Sequence, residues 1–83
     1  MRKDVITKKQ PQGFVTNKVY EYRVLRRLTQ QQLAEAVNVS KQTIFAMEKG
    51  NYSPSLVLAF EISQYFEADI NDIFSYYKQK EIK

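Results

Sequence analysis

Lys41, Gln42 and Phe45 stand at positions i, i+1 and i+4, a spacing that places them on one exposed face of a helix with Ala46 behind them. Those side chains match the edges of base pairs in a DNA major groove. A glutamine can bond adenine through two atoms, a lysine reaches guanine O6 and N7, and a ring or methyl touches the thymine methyl. Phe45 is the anomaly of the set. An apolar ring on an otherwise polar face is covered either by a base or by the protein core, and base contact is the expectation. Around this face lie groups suited to phosphate oxygens: Gln30 at a helix N-terminus, where free amides attract an anion, then Ser40, Thr43, Lys49, Asn51 and Tyr52. For each of these the alternative is a side chain that is simply solvated.

Composition removes most other chemistry. The 83 residues contain no cysteine and no histidine, so thiolate nucleophiles, disulfides, imidazole bases and most zinc sites are absent. No glycine-rich phosphate loop is present and no carboxylate pair has an evident purpose, so the reading is of a non-enzyme with no catalytic residue, metal, cofactor or small-molecule ligand. The longest apolar stretches, such as Leu56 to Phe60, are too short to span a bilayer, and Met1-Arg2-Lys3-Asp4 precedes no signal-peptide core. A soluble, cytoplasmic protein with no membrane partner is expected. The net charge of +4 is unevenly placed. Residues 1–50 carry ten Lys/Arg against four Asp/Glu, a balance of +6, whereas residues 51–83 carry three against five, a balance of −2. The first half suits a polyanion and the second a protein partner; a merely soluble surface is the alternative.

The elements that must position these residues follow at short intervals. Residues 1–16 show no helical period and read as an N-terminal arm, disordered, with Asp4-Val5-Ile6-Thr7 as an optional strand and Lys3, Lys8 and Lys9 as optional phosphate contacts. Asn17 can cap a helix through about Arg27, turning Val19, Tyr22 and Leu25 inward and Lys18, Arg26 and Arg27 outward. Thr29-Gln30-Gln31-Gln32 is a capping box for a second helix that buries Leu33, Ala34 and Val37. Asn38 tolerates the left-handed conformation that closes it. Ser40 caps a third helix, Lys41 to about Lys49, which Gly50 terminates. Ser53-Pro54 marks a fourth start, followed by Leu56, Ala59, Ile62, Ser63 and Phe66 at helical spacing. Asp69 caps a short last helix carrying Ile70, Ile73 and Phe74. Nothing alternates like an amphipathic strand before Ser75.

Two short helices joined by about three residues form a helix-turn-helix. Ala34 fits where the two cross, Asn38 makes the turn, and Val39, Ile44 and Met47 seal the second against the first. A plain α-hairpin needs a small residue and a turn former too, but this combination is more specific. Over residues 17–76 the chain resembles the Cro/C1-type (xenobiotic-response-element-like) helix-turn-helix domain of phage repressors and small bacterial regulators. The segments that carry the resemblance are Leu28-Thr29-Gln30-Gln31-Gln32-Leu33-Ala34, Val39-Ser40-Lys41-Gln42-Thr43-Ile44, Met47-Glu48-Lys49-Gly50, Pro54-Ser55-Leu56 and Asp72-Ile73-Phe74. Arg27 and Asn38 depart from it, standing where many members have glycine.

The resemblance implies an all-α, five-helix, lambda-repressor-like domain, with a short C-terminal strand as an addition and residues 77–83 as a tail. It implies transcriptional control without catalysis, double-stranded DNA as partner, and Gln42 as the leading base reader. It also implies an ion pair between Arg23 of the first helix and Glu48 of the third, structural in role. Phe74-Ser75-Tyr76-Tyr77-Lys78 has the aromatic content of a strand and suggests a homodimer interface through Phe74, Tyr76 and Tyr77, the alternative being a tail packed on its own domain. Two-fold pairing sets the third helices about 34 Å apart, which matches a palindromic operator. The expectation is a repressor. The rival reading is an antitoxin-like interaction module built on the same helices.

Overall fold

The computed structural model of the chain describes residues 13–78. In chain order the elements are β1 (Gly13–Asn17), α1 (Val19–Leu25), α2 (Gln30–Ala36), α3 (Lys41–Glu48), α4 (Leu56–Tyr65), α5 (Ile70–Ile73) and β2 (Phe74–Lys78). The five expected helices are present. The readings of Asp4–Thr7 and of Lys3, Lys8 and Lys9 lie outside the described residues.

Local signals set the middle of the chain. The Thr29 hydroxyl accepts from the Gln32 amide at 3.0 Å while the Gln32 side chain accepts from the Thr29 amide at 2.8 Å, the complete capping box. Asn38 and Gly50 adopt left-handed backbones, φ 64° and 83°, and close α2 and α3. Arg27 and Glu67 adopt the same conformation at φ 57° after α1 and α4, where a side chain offers no such ease. Ala34 is fully buried at the crossing of α2 and α3, and Leu33, Val37, Ile44 and Met47 pack around it. The core is completed by Val19, by Leu58, Ala59, Ile62 and Phe66 of α4, and by Ile73 and Phe74. Buried Ser63 is satisfied by donating to the Ala59 carbonyl at 2.9 Å.

Four expectations are corrected. First, Gly13–Thr16 belongs to a strand, not to an arm: β1 pairs antiparallel with β2, Phe14 opposite Tyr77, Val15 opposite Tyr76 and Asn17 opposite Phe74. The strand-forming run Phe14-Val15-Thr16 finds its partner about sixty residues away, and β2 continues through Lys78, beyond the boundary drawn at Tyr76. Second, α1 starts at Val19, with Asn17 still in β1; the Asn17 side chain nevertheless accepts from the Val19 amide at 3.0 Å. Third, the cap of α4 is Ser55, whose hydroxyl accepts from the Leu58 amide at 3.1 Å, so Pro54 precedes the helix instead of opening it. Fourth, Leu25 and Leu56 are exposed, Leu56 by 69%. Leu25 ends α1 and Leu56 begins α4, so each stands at a helix end beyond the sector that meets the core. Asp69 occupies the cap position of α5, with no side-chain bond.

Candidate nucleic-acid interface

The geometry of the site is the sidedness of α3. Its start is fixed by Ser40, whose hydroxyl accepts from the Thr43 amide at 3.1 Å and lies 2.9 Å from the Thr43 hydroxyl. Ile44 and Met47 are fully buried against α2, and the helix cannot roll without opening that seam. Lys41 and Gln42 consequently point to solvent, and Ala46 is half-buried behind them. Phe45 is 49% exposed, which rules out core packing as its cover. The Lys49 ammonium sits over its ring, 5.4 Å from the centroid. Cationic, amide and aromatic groups thus share one outward face of about two turns, compatible with the width of a major groove.

The C-terminal part of α3 is tied down. Arg23 donates to Glu48 through Nε at 2.6 Å and through Nη2 at 3.0 Å, a forked pair between α1 and α3, and its Nη1 donates to the Leu28 carbonyl at 2.8 Å. Both side chains are shielded, 12% and 6% exposed. Gln30 donates to the same carboxylate at 3.0 Å. The Glu48 hydrogen bond raises the Arg23 pKa above its ordinary value; partial burial opposes the shift and the nearby negative charge of Glu48 adds to it. The guanidinium therefore stays charged throughout the physiological range.

Residues 19–73, a span that runs from α1 through α5, match the helix-turn-helix family HTH_3. The chain belongs to this family. Its Cro/C1-type character is shared with proteins named as regulators. An HTH-type transcriptional regulator of Methanocaldococcus jannaschii is 55% identical over 60 residues, covering 72% of this chain and 91% of that protein. A phage transcriptional repressor of Vibrio cholerae, RstR, is 32% identical over 60 residues, 72% of this chain and 54% of RstR. Among solved structures, the transcriptional regulator VanUg superposes with a TM-score of 0.66 at 27% identity, covering 88% of this chain and 96% of VanUg. The helix-turn-helix chain is accordingly a transcriptional regulator with a DNA-binding domain. No helix among the described residues is long and apolar enough to cross a membrane, and no group of acidic residues there is arranged to hold a metal ion.

The remaining residues of interest fall into three groups. Lys49, Asn51 and Tyr52 are exposed at and just after the end of α3, next to the reading face. Gln30, Ser40 and Thr43 flank it too, but their side chains are already bonded within the domain. Phe74 is corrected: it is only 9% exposed and completes its own core, whereas Tyr76 and Tyr77 remain exposed on the ribbon, Tyr77 tilted against Phe14 at 5.7 Å between ring centroids. Arg26 donates to the Phe66 carbonyl at 2.9 Å and lies over the Phe66 ring, so its charge also ties α1 to α4. Two residues went unnoticed as parts of the site. Tyr20 is exposed beneath the Arg23 guanidinium and lines a cleft with Gln30, Phe45 and Lys49. Asn17 donates to the Met47 carbonyl. The helical period of α1 turns Tyr20 outward, but nothing in the sequence says that α3 lies beside it.

Proposed function

We propose that the protein is a cytoplasmic repressor that binds a palindromic operator as a homodimer, with α3 of each copy in a major groove. The observation that carries this reading is the sidedness of α3: Lys41, Gln42 and Phe45 are exposed on its outer face, and Ile44, Met47 and Glu48 hold its inner face to the domain. A helix held from behind with a polar and aromatic front is a reader of base edges. Gln42 bonds an adenine, Lys41 a guanine, and Phe45 covers a thymine methyl, with Ala46 against the groove wall. Lys49, Asn51 and Tyr52 bond phosphates beside it, and the free backbone amides at the starts of α2 and α3, where Gln30, Ser40 and Thr43 have their side chains bonded within the domain, complete the backbone contacts. The naming of RstR as a repressor favours repression. The dimer contact is the exposed ribbon surface of Tyr76 and Tyr77, now without Phe74.

The test is selection of bound sequences from a random duplex pool, repeated with Gln42→Ala. The expected result is a palindromic motif from the wild type and lost preference at one base pair per half-site in the variant, worth roughly 1–3 kcal/mol of discrimination. Sedimentation at high micromolar concentration checks the dimer; a monomer there removes it. A second reading is favoured by the exposed apolar run Leu56, Val57 and Phe60 on α4, which suits a protein partner of the antitoxin type. Salt separates the two. Six phosphate contacts lower affinity by about three orders of magnitude between 50 and 200 mM salt, and a protein partner gives a shallow dependence.

A further inference from the structure

The strand that precedes α1 ends on a side chain that holds three elements at once. The Asn17 amide oxygen accepts from the Val19 amide at 3.0 Å, and its amide nitrogen donates to the Met47 carbonyl at 3.1 Å, thirty residues away in the last turn of α3. The assignment of the two ends is forced by chemistry. Reversing the amide would put oxygen against the Met47 carbonyl and nitrogen against the Val19 N–H, losing both bonds. Met47 also accepts from the Gly50 amide at 3.0 Å, so both lone pairs of this carbonyl are used. Asn17 is at the same time paired in the ribbon with Phe74, and the next amide, Lys18, donates to the Ile73 carbonyl at 2.8 Å.

We infer that Asn17 is a positioning residue for DNA reading: it fixes the tilt of α3 by clamping its C-terminal backbone to the ribbon, as Arg23 clamps its side chain Glu48 to α1. This rests on the proposal that α3 reads bases. The seam with α2 stops α3 from rolling, and Arg23 and Asn17 hold its C-terminal end from two different neighbours, so that loss of either lets the helix tilt within the seam. From Met47 back to Lys41 is six residues, about 9 Å of helix. A tilt of about 6° at the clamp moves the Lys41 end by about 1 Å, which carries an N–H···O bond out of its 2.7–3.2 Å range. Asn17 is uncharged and both ends of its amide are bonded within the domain, so its effect falls on register and not on charge.

The experiment uses the full chain with Asn17→Ser, which keeps a short oxygen for the Val19 amide but is too short to reach Met47, and Asn17→Ala, which has neither. Sequence selection from a random duplex pool is run beside titration of an unrelated duplex and amide hydrogen exchange. The expected result for Asn17→Ser is preference blurred across the whole half-site, a fall of about fivefold in the specific to non-specific ratio, the equivalent of one net hydrogen bond. Affinity for the unrelated duplex is unchanged, and exchange is faster over residues 44–49 than over α4. Asn17→Ala adds a lower melting temperature, by about 4–8 °C. A lower melting temperature with an unchanged ratio and uniform exchange overturns the inference. If the wild type itself enriches no motif, the DNA-reading proposal fails, and exchange alone then decides whether Asn17 holds α3: selective loss over residues 44–49 upholds the clamp, and uniform loss overturns it.

Discussion

The α2–α3 hairpin and the β1–β2 ribbon are each two short elements packed side by side, yet they are held by different means. The hairpin interface consists of side chains with almost no exposure, Leu33, Ala34, Ile44 and Met47, and each of its ends is capped by its own neighbours. The ribbon places a single side chain, Phe74, in the core, and the rest of its length is exposed or half-buried, with Phe14 to Thr16 and Tyr76 to Lys78 exposed in unbroken runs. Its backbone bonds are sound, but a lone pair of strands is marginal in water without a face to cover. The hairpin is therefore the rigid body that carries the reading face, and the ribbon is a brace attached to its rear. The first contributes five buried apolar side chains to the core and the second one, so the second acts mainly through its polar contacts.

The largest expected effect tests the rigid half. Ile44→Ala removes a fully buried side chain from the α2–α3 seam and should cost about 2–5 kcal/mol in urea unfolding, with loss of DNA binding in step. A cost below about 1 kcal/mol would show that the seam collapses easily and that the hairpin is no stiffer than the ribbon. Next comes the anchor. Glu48→Ala leaves the shielded Arg23 and Gln30 without their acceptor and should cost about 2–3 kcal/mol, less than removing one partner of a fully buried pair. The double replacement Arg23→Met with Glu48→Leu should recover most of that stability, because it leaves no uncompensated charge. Should the double variant be no better than the single one, the pair contributes net stability of its own.

The same contrast decides what could be read from residues in order. The Thr29 capping box, the Asn38 turn, the Ser40 cap, the Gly50 terminator and the small Ala34 all act within a few positions of themselves, so the hairpin and the outward face of α3 were legible. The pairing of Arg23 with Glu48 was reached through family resemblance, since nothing local couples residues 25 apart. The start of α4 was misplaced because Ser53 and Ser55 both flank Pro54 and both suit a cap; the fold chooses the one whose hydroxyl meets the Leu58 amide. β1 was missed because Phe14-Val15-Thr16 becomes a strand only beside β2. The same long-range pairing hid the role of Asn17, whose cap to Val19 is local and whose bond to Met47 is not.

The smallest expected effect probes the ribbon. A Cβ at Gly13 would lie 2.0 Å from the Tyr76 hydroxyl and 2.1 Å from its Cζ, so the tyrosine ring covers the space that glycine leaves open. In the hairpin such a collision would force the backbone apart. Here the colliding atoms are the far end of a side chain that is 59% exposed, and rotation about its χ angles carries the ring into solvent. Gly13→Ala should therefore change stability by no more than about 0.5 kcal/mol, the usual range for surface positions. The displaced ring should register as a shifted Tyr76 aromatic resonance. A loss of about 1–3 kcal/mol, the cost of overpacking a tight interior, would mean that Tyr76 is pinned across Gly13. The ribbon would then be a second rigid body, and the bond from Asn17 to Met47 would join two stiff units instead of fastening a soft brace to one.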